Sequence, residues 1–381
     1  MRLLHLADLH LDRTFAGVGC YGEVAQRRRE GLREALKRAG DAAAEQGCEL
    51  ITIGGDLYEH EHTGPQTARF LADLFASWRP RRVALAPGNH DPLVPGSVYA
   101  IAEWPENVHL FTEPELRPWS LGEGLTLWGL AHRSPNWMGD PLDCAPVGTD
   151  GGVHLALFHG AELGSRPPGK STHGPFHAAR IAERGFALAL CGHYHRRRVD
   201  AAARLLYPGS PEPLTFDEDA ARGPVIVEVG AGGRLRFEPL ELNSWYARNA
   251  DADIDGCTSA GAVHEAVRAT ARQALSGLPA ERSMLRLTLR GEVAAEVAVD
   301  GALVEAIAAE ATGAAVVRVR DLSRAALDLA AAAADRSARG VFIREALAAR
   351  ERCSDAAEQA ELDDALRYGL QALSGCEVGL R

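Results

Sequence analysis

Five short motifs gather the residues that could hold metal ions and move protons. They are Asp8-Leu9-His10, Gly54-Gly55-Asp56, Gly88-Asn89-His90-Asp91, His159-Gly160 and Gly192-His193-Tyr194-His195. Together they offer carboxylates, one amide and several imidazoles, a donor set suited to Mn²⁺, Fe²⁺ or Zn²⁺ rather than to thiolate-seeking ions. In an extended chain, residues two apart face the same way, so Asp8 and His10 could converge on one ion. The adjacent glycines allow tight turns and leave room for ions. Each motif alone is weak; all five in this order make chance a poor account.

Elements that could position these motifs follow from the apolar pattern. Strands are expected at Arg2–Ala7, Glu49–Ile53, Arg82–Ala86, Leu125–Gly129, Val153–Phe158 and Leu188–Cys191. Helices are expected at Val24–Gln46, stopped by Gly47, and at Pro65–Trp78 with proline in the first turn. Each motif then falls at the carboxyl end of a strand, where open α/β sheets form their ligand crevice. Further strands, reading as antiparallel, are expected at Val199–Leu206, Val225–Val229 and Leu235–Leu240. This implies an α/β layered domain with mixed sheets over residues 1–245. Polar residues mark a boundary near Asn243–Gly256. A small α/β unit follows over 256–322, with helices Ala262–Leu275 and Gly301–Ala311 and strands Met284–Arg290 and Ala315–Arg320. Residues 323–381 read as helices, with Gly340 and Gly369 as candidate breaks. The alanine-rich run near Ala330–Ala334, between Asp328 and Asp335, also reads as helix.

The chain has 381 residues and a formal net charge of -11, which argues against a surface that grips nucleic acid by charge everywhere. A local basic groove, a metal-filled cleft or a basic partner remains compatible. An apolar fraction of 46% supports a real core and excludes wholesale disorder. Seven cysteines without a C-x-x-C pair fit a reducing compartment. His5 and Asp8 interrupt what would be the apolar core of a secretion signal, and no apolar run suits a membrane span, so a cytoplasmic protein is expected.

The motif set resembles the calcineurin-like metallophosphoesterase superfamily. The segments HLADLHLDRTF, ELITIGGDLYE and YPGSPEPLTFDE before RGPVIVEV look more specifically like its SbcD-type DNA-repair nuclease branch, including YhaO-like bacterial members. The resemblance implies a layered β-sandwich flanked by helices, a small α/β capping domain and a helical C-terminal segment. It implies two divalent ions, Mn²⁺ preferred, with Fe²⁺, Zn²⁺ or Mg²⁺ as alternatives. Asp8, His10, Asp56 and His195 would hold one ion; Asp56, Asn89, His159 and His193 would hold the other. His90 would be the catalytic histidine, oriented by Asp91. The ions would clamp a phosphodiester and activate a water for in-line attack, while His90 serves the leaving sugar oxygen. The implied activity is 3′ to 5′ exonuclease action on DNA, with single-strand endonuclease action as an addition. The implied partners are DNA, a coiled-coil ATPase of the SbcC type and a second copy of the chain. Some branch members carry a histidine or aspartate three residues after the G-D aspartate. Here that residue is Glu59, with His60 and His62 beyond, and the sequence assigns the role to none of them.

Other features are weighed against blander readings. Arg196, Arg197 and Arg198 could hold DNA phosphates beside the site, or form a solvated edge. Arg27, Arg28 and Arg29 read as a solvated helix face. His5 and His154 read as satisfied core histidines, Tyr194 and Cys191 as packing, and His132 as even between cleft and core. Apolar positions in the tail, including Val341, Phe342, Leu366 and Leu370, could pack on one another or dock the ATPase. Two other functions stay in play: hydrolysis of small phosphate esters, and an inactive scaffold for an ATPase. The GD-x-x-DR and GNHE patterns of protein phosphatases are not matched.

Overall fold

The computed structural model describes residues 1–373 except 123, 149–150, 167–168, 170 and 327–328. It begins β1 (Arg2–Leu6), α1 (Gly22–Glu45), β2 (Leu50–Ile53), α2 (Pro65–Ser77), β3 (Arg82–Leu85), α3 (Val98–Ile101) and β4 (Val108–Leu110). It continues β5 (Arg117–Gly122), β6 (Leu125–Gly129), β7 (Val153–His159), α4 (Ala179–Glu183), β8 (Leu188–Gly192), β9 (Arg198–Asp200), β10 (Leu205–Tyr207), β11 (Val225–Val229) and β12 (Leu235–Pro239). Two six-stranded mixed sheets result, ordered β12-β11-β1-β2-β3-β4 and β5-β6-β7-β8-β10-β9.

The alternation of side chains along each strand builds the layers. Leu3, Leu50 and Val227 of the first sheet pack with Leu127, Leu155, Leu190 and Leu206 of the second, forming a core between the sheets. Leu4, Leu6, Ile51 and Ile53 point the other way, onto Leu32, Leu36, Leu71 and Phe75 of α1 and α2. The outer face of the second sheet carries Ala156, Phe158, Ala189 and Tyr207 against Ile181 and Phe186. Both faces of each sheet are thus covered, which is why β2 and β8 read as continuous apolar runs. The α/β sandwich flanked by helices is therefore the observed architecture.

The remainder comprises β13 (Tyr246–Asp253), α5 (Ala260–Ala274), β14 (Ser283–Arg290), β15 (Glu292–Val293), α6 (Gly301–Thr312), β16 (Val316–Asp321), β17 (Arg324–Ala325), α7 (Leu329–Ala334), α8 (Ala338–Arg352) and α9 (Ala356–Leu373). β13, β14 and β16 form a three-stranded sheet, and β15 pairs with β17. The chain divides into two compact units. One comprises Met1–Ala250, Ala271–Leu287 and Ala308–Arg318; the other comprises Asp251–Thr270, Thr288–Ile307 and Val319–Arg381. In the second unit, Ile343, Leu366 and Leu370 form a small core joined by Phe342 and Leu347.

Several expectations need correction. Residues 199–206 are not one strand but the hairpin β9–β10, because Asp200 accepts the amide of Ala203 and turns the chain. β10 also pairs parallel with β8. Within the polar stretch 243–256, residues 246–253 form the strand β13, in which Ala247 and Ala252 are the buried residues. Gly340 and Gly369 lie inside α8 and α9, with Gly369 fitted against the Phe342 ring. The tail's breaks fall instead at 335–337 and 353–355. The short strands β4 and β5 escape the apolar pattern because β4 is only partly buried and β5 is largely exposed. Asp328, Cys376 and residues 374–381 lie outside the described residues.

Candidate metal centre

All five motifs converge at the carboxyl ends of β1, β2, β3, β7 and β8 in the first unit. The Asp8–Asp12 segment is not extended. Asp8, His10 and Asp12 take left-handed backbone angles, φ 54°, 51° and 64°, while Leu9 and Leu11 are buried. Asp56, at φ 52°, shares this conformation. Such angles cost about 1–3 kcal/mol each for non-glycine residues, and the surroundings must hold them in place. Here the holding bonds run between the loops: Asp8 N to Gly55 O at 3.1 Å and His10 N to Asp56 O at 2.9 Å. Gly88 is required for a different reason. A Cβ there would collide with Asp56 Oδ1.

The imidazoles form two facing pairs. His10 Nε2 lies 3.3 Å from His195 Nε2. Each ring's Nδ1 is 2.9 Å from a carboxylate, Glu59 for His10 and Glu218 for His195. A carboxylate only accepts, so each Nδ1 carries the proton, and in the neutral rings both Nε2 lone pairs point at one another. His159 Nε2 and His193 Nδ1 repeat this at 3.2 Å. Their opposite nitrogens donate to the carbonyls of Gly54 and Ser171, at 2.9 and 3.2 Å. Facing lone pairs repel unless a cation or proton lies between them. Asp56 Oδ2 stands between the pairs, 3.2 Å from His159 Nε2 and 3.6 Å from His10 Nε2.

Two buried oxygens, Asp8 Oδ2 and Asn89 Oδ1, find no hydrogen-bond partner among the described residues. An orphaned buried oxygen is costly, and a cation removes the cost. Donor atoms of Asp8, His10 and His195 converge closely enough to hold a metal, as do those of Asp8, Asp56 and His159. The chemistry of these donors therefore fits divalent ions.

The same atoms set one another's protonation. Burial works against charge on His159, but the Asp56 carboxylate prevails and lifts its pKa to about 9. Burial and the neighbouring His159 push His193 down to about 3. Burial raises Asp8 and lowers His10. Asp56 stays well below the carboxylate range despite burial, because His159, His10 and His90 surround it.

Residues 1–197 match the calcineurin-like phosphoesterases. The chain belongs to that family. It is a metal-dependent phosphoesterase. Among curated relatives, it is 26% identical over 280 residues to the uncharacterized metallophosphoesterase YhaO of Bacillus subtilis, covering 71% of this chain and 67% of that protein. It is 26% identical over 282 residues to the DNA double-strand break repair protein Mre11 of Methanopyrus kandleri, covering 67% of this chain and 60% of that protein. A crystal structure of TT1561 from Thermus thermophilus overlaps 62% of this chain and 98% of its own, at a TM-score of 0.37 and 14% identity.

Within this phosphoesterase, Asp91 does not contact the His90 ring. Its buried carboxylate accepts from the backbone amides of Asp56, Leu57 and Gly88, at 3.0, 2.6 and 2.6 Å, and from Tyr99 Oη at 2.7 Å. It thereby fastens the G-N-H-D loop to the G-D loop. Burial and the nearby Asp56 push its pKa up to about 7. The partner of His90 is Glu59, whose Oε2 lies 2.8 Å from Nδ1. Burial opposes charge on His90, but Glu59 and Asp56 raise it to about 9. Glu59 thus serves His10 and His90 at once. His60 and His62 lie in the following turn.

Glu218 is the residue that sequence reasoning passed over. Burial would raise its pKa, but His195 and Arg222 hold it down near 2. It also accepts from Ser210 Oγ and the amide of Leu214. Its signal was its place as the last residue of YPGSPEPLTFDE.

The arginine triplet separates. Arg197 donates to the carbonyls of Gly223 and Leu240, and Arg198 pairs with Glu162 and Asp200. Both are used by the fold, and Arg196 is exposed. Arg28 is not on a solvated face: it is buried between Phe15 and Trp245, 4.4 and 4.7 Å from the ring centres, and donates to Pro213 O. His5 bonds Thr52 and Cys191 O, and His154 is buried beside Trp128. His132 is buried, with Nε2 2.8 Å from the carbonyl of His159. Among the described residues, no helix is long and apolar enough to cross a membrane.

Proposed function

We propose that this chain is a two-metal DNA nuclease, with Mn²⁺ as the preferred ion. Its action would be 3′ to 5′ removal of nucleotides from duplex ends, with single-strand endonuclease action in addition. The observation that carries the metal part is the two pairs of facing imidazole nitrogens about the single carboxylate of Asp56. Similarity to a DNA break-repair protein supports the DNA part. Asp8, His10, Asp56 and His195 would hold one ion; Asp56, Asn89, His159 and His193 would hold the second. Bound there, the ions supply Lewis acidity to the phosphate and to the water nucleophile.

The chain's own residues do the rest. His90, with Nδ1 engaged by Glu59, keeps Nε2 for the leaving 3′ oxygen and delivers a proton to it. Asp91 acts through the backbone, holding the loop that carries Asn89 and His90. Of the three arginines, Arg196 remains for a phosphate. The reading assigns residues 1–245 to the nuclease, 256–322 to a cap and 323–381 to docking of a coiled-coil ATPase, with a homodimer as the working state. Incubating the purified chain with end-labelled duplex DNA and Mn²⁺, beside Asp56→Ala, tests it. Mononucleotide release by the wild type alone is expected. Hydrolysis of a small phosphodiester with no cleavage of DNA would replace the nuclease reading with a small-ester hydrolase.

A further inference from the structure

Two imidazoles outside the proposed ligand set stand edge-on against ligand rings and are reached by solvent. His90 meets His10 with ring centres 4.7 Å apart and planes at 78°. His173 meets His193 at 5.6 Å and 89°. His90 is exposed and His173 is half-buried. Each half of the centre thus carries one such ring. His132 also lies edge-on to a ligand, His159, but it is fully buried and its Nε2 is held by the His159 carbonyl. All of these residues belong to the first unit.

His173 is carried by the segment 171–174, which is fastened to the site by its main chain. Ser171 O accepts from His193 Nε2 at 3.2 Å. The carbonyl of His173 accepts the amide of Ala161 at 2.9 Å, two residues beyond the ligand His159. The amide of Gly174 donates to Trp137 O at 3.0 Å. Gly174 takes a left-handed φ of 52°, and a Cβ there would meet the His159 carbonyl at 2.8 Å, so only glycine suits the position. Ser171 Oγ lies 3.5 Å from His173 Nδ1. A hydroxyl donating there leaves the ring proton on Nε2, which has no hydrogen-bond partner among the described residues. Burial and His159 lower the pKa of this ring, and Asp56 and His90 act on it too, so it lies within electrostatic reach of the whole centre.

Attack on a phosphate ester builds negative charge on the non-bridging oxygens as well as on the leaving oxygen. His90 is assigned to the leaving oxygen. We propose that His173 is a second substrate-contacting residue, whose Nε2–H donates to a non-bridging phosphate oxygen at the His159–His193 half. This rests on the two-metal reading and does not depend on the ester being DNA. It places a donor beside the half of the centre whose imidazoles are backed only by carbonyls.

The test uses the full chain loaded with Mn²⁺ and two probes, inorganic phosphate and bis(p-nitrophenyl) phosphate. Calorimetry reads the bound ions and the Kd for phosphate; initial rates read kcat/KM on the ester. His173→Phe keeps a flat ring without a donor and should bind both ions as the wild type does. Its Kd for phosphate should rise roughly tenfold, and its kcat/KM should fall by a similar factor. His173→Gln, which restores an N–H donor, should recover most of both losses. Unchanged phosphate affinity and kcat/KM in His173→Phe would overturn the inference. Loss of the second ion in that variant would overturn it too, because the ring would then serve His193 and not the substrate. A wild type that binds fewer than two ions would remove the two-metal reading itself, and this assignment with it.

Discussion

The two halves of the metal centre use the same ligand type and differ in what stands behind it. His10 and His195 are backed by the carboxylates of Glu59 and Glu218. His159 and His193 are backed by the neutral carbonyls of Gly54 and Ser171. A carboxylate behind an imidazole raises its basicity as a ligand and fixes its tautomer; a carbonyl fixes the tautomer with less charge. The mountings differ too. Glu218 is buried in a network with Ser210, Leu214 and Arg222. The His193 bond to Ser171 is exposed. The centre is therefore asymmetric, with the His10–His195 half expected to bind its ion more tightly.

Asp56 is common to both halves, so its loss should erase the comparison. Asp56→Ala is expected to lower phosphodiesterase activity on the order of 10³-fold or more and to abolish binding of both ions. Metal content after gel filtration, read beside the rate, checks this. A variant that kept one tightly bound ion would show that the halves do not share the carboxylate.

Glu218→Gln should act on one half. It is expected to weaken the tighter ion by roughly 10–100-fold and to leave the weaker one unchanged. Titration of Mn²⁺ by calorimetry measures both, with a thermal melt to confirm folding. Equal weakening of both ions would break the asymmetry. Glu59→Gln sharpens it differently, because Glu59 also holds His90. Its kcat on any phosphodiester should fall by roughly 10–100-fold at saturating Mn²⁺. A KM change alone would mean that Glu59 serves the substrate and not the proton donor.

The smallest effects lie outside the ligands. Arg198→Ala should cost about 0.5–1 kcal/mol of stability, since its partly exposed pairs with Glu162 and Asp200 are lost. Arg196→Ala should leave stability unchanged and raise KM for DNA by roughly two- to fivefold. Denaturant melts and initial rates separate the two. The reverse pattern would exchange the roles assigned to the two arginines.

The layered fold was legible in the sequence because the strands that carry the site are buried on both faces and the motifs sit at their ends. What escaped has identifiable causes. β4 and β5 carry few buried residues, and β13 hides its two buried alanines among charges. At the site, residue types marked where the chemistry gathers, but not how the side chains divide the work. Asp91 follows His90 directly, yet a neighbour in sequence cannot easily turn back onto the ring, and its carboxylate goes to three amides instead. Glu59 and Glu218 reach their histidines from 49 and 23 residues away in the chain, a relation that only folding reveals. Arg28 looked like one of three surface arginines. The aromatic pair that encloses it, Phe15 and Trp245, comes from distant segments.

The most direct measurement is anomalous diffraction from crystals of the full chain grown with Mn²⁺. The account predicts two peaks flanking Asp56. One should lie within ligand distance of the Nε2 atoms of His10 and His195, and the other within reach of His159 Nε2 and His193 Nδ1. The second should show the lower occupancy when Mn²⁺ is limiting. A single peak, or peaks away from Asp56, would contradict it.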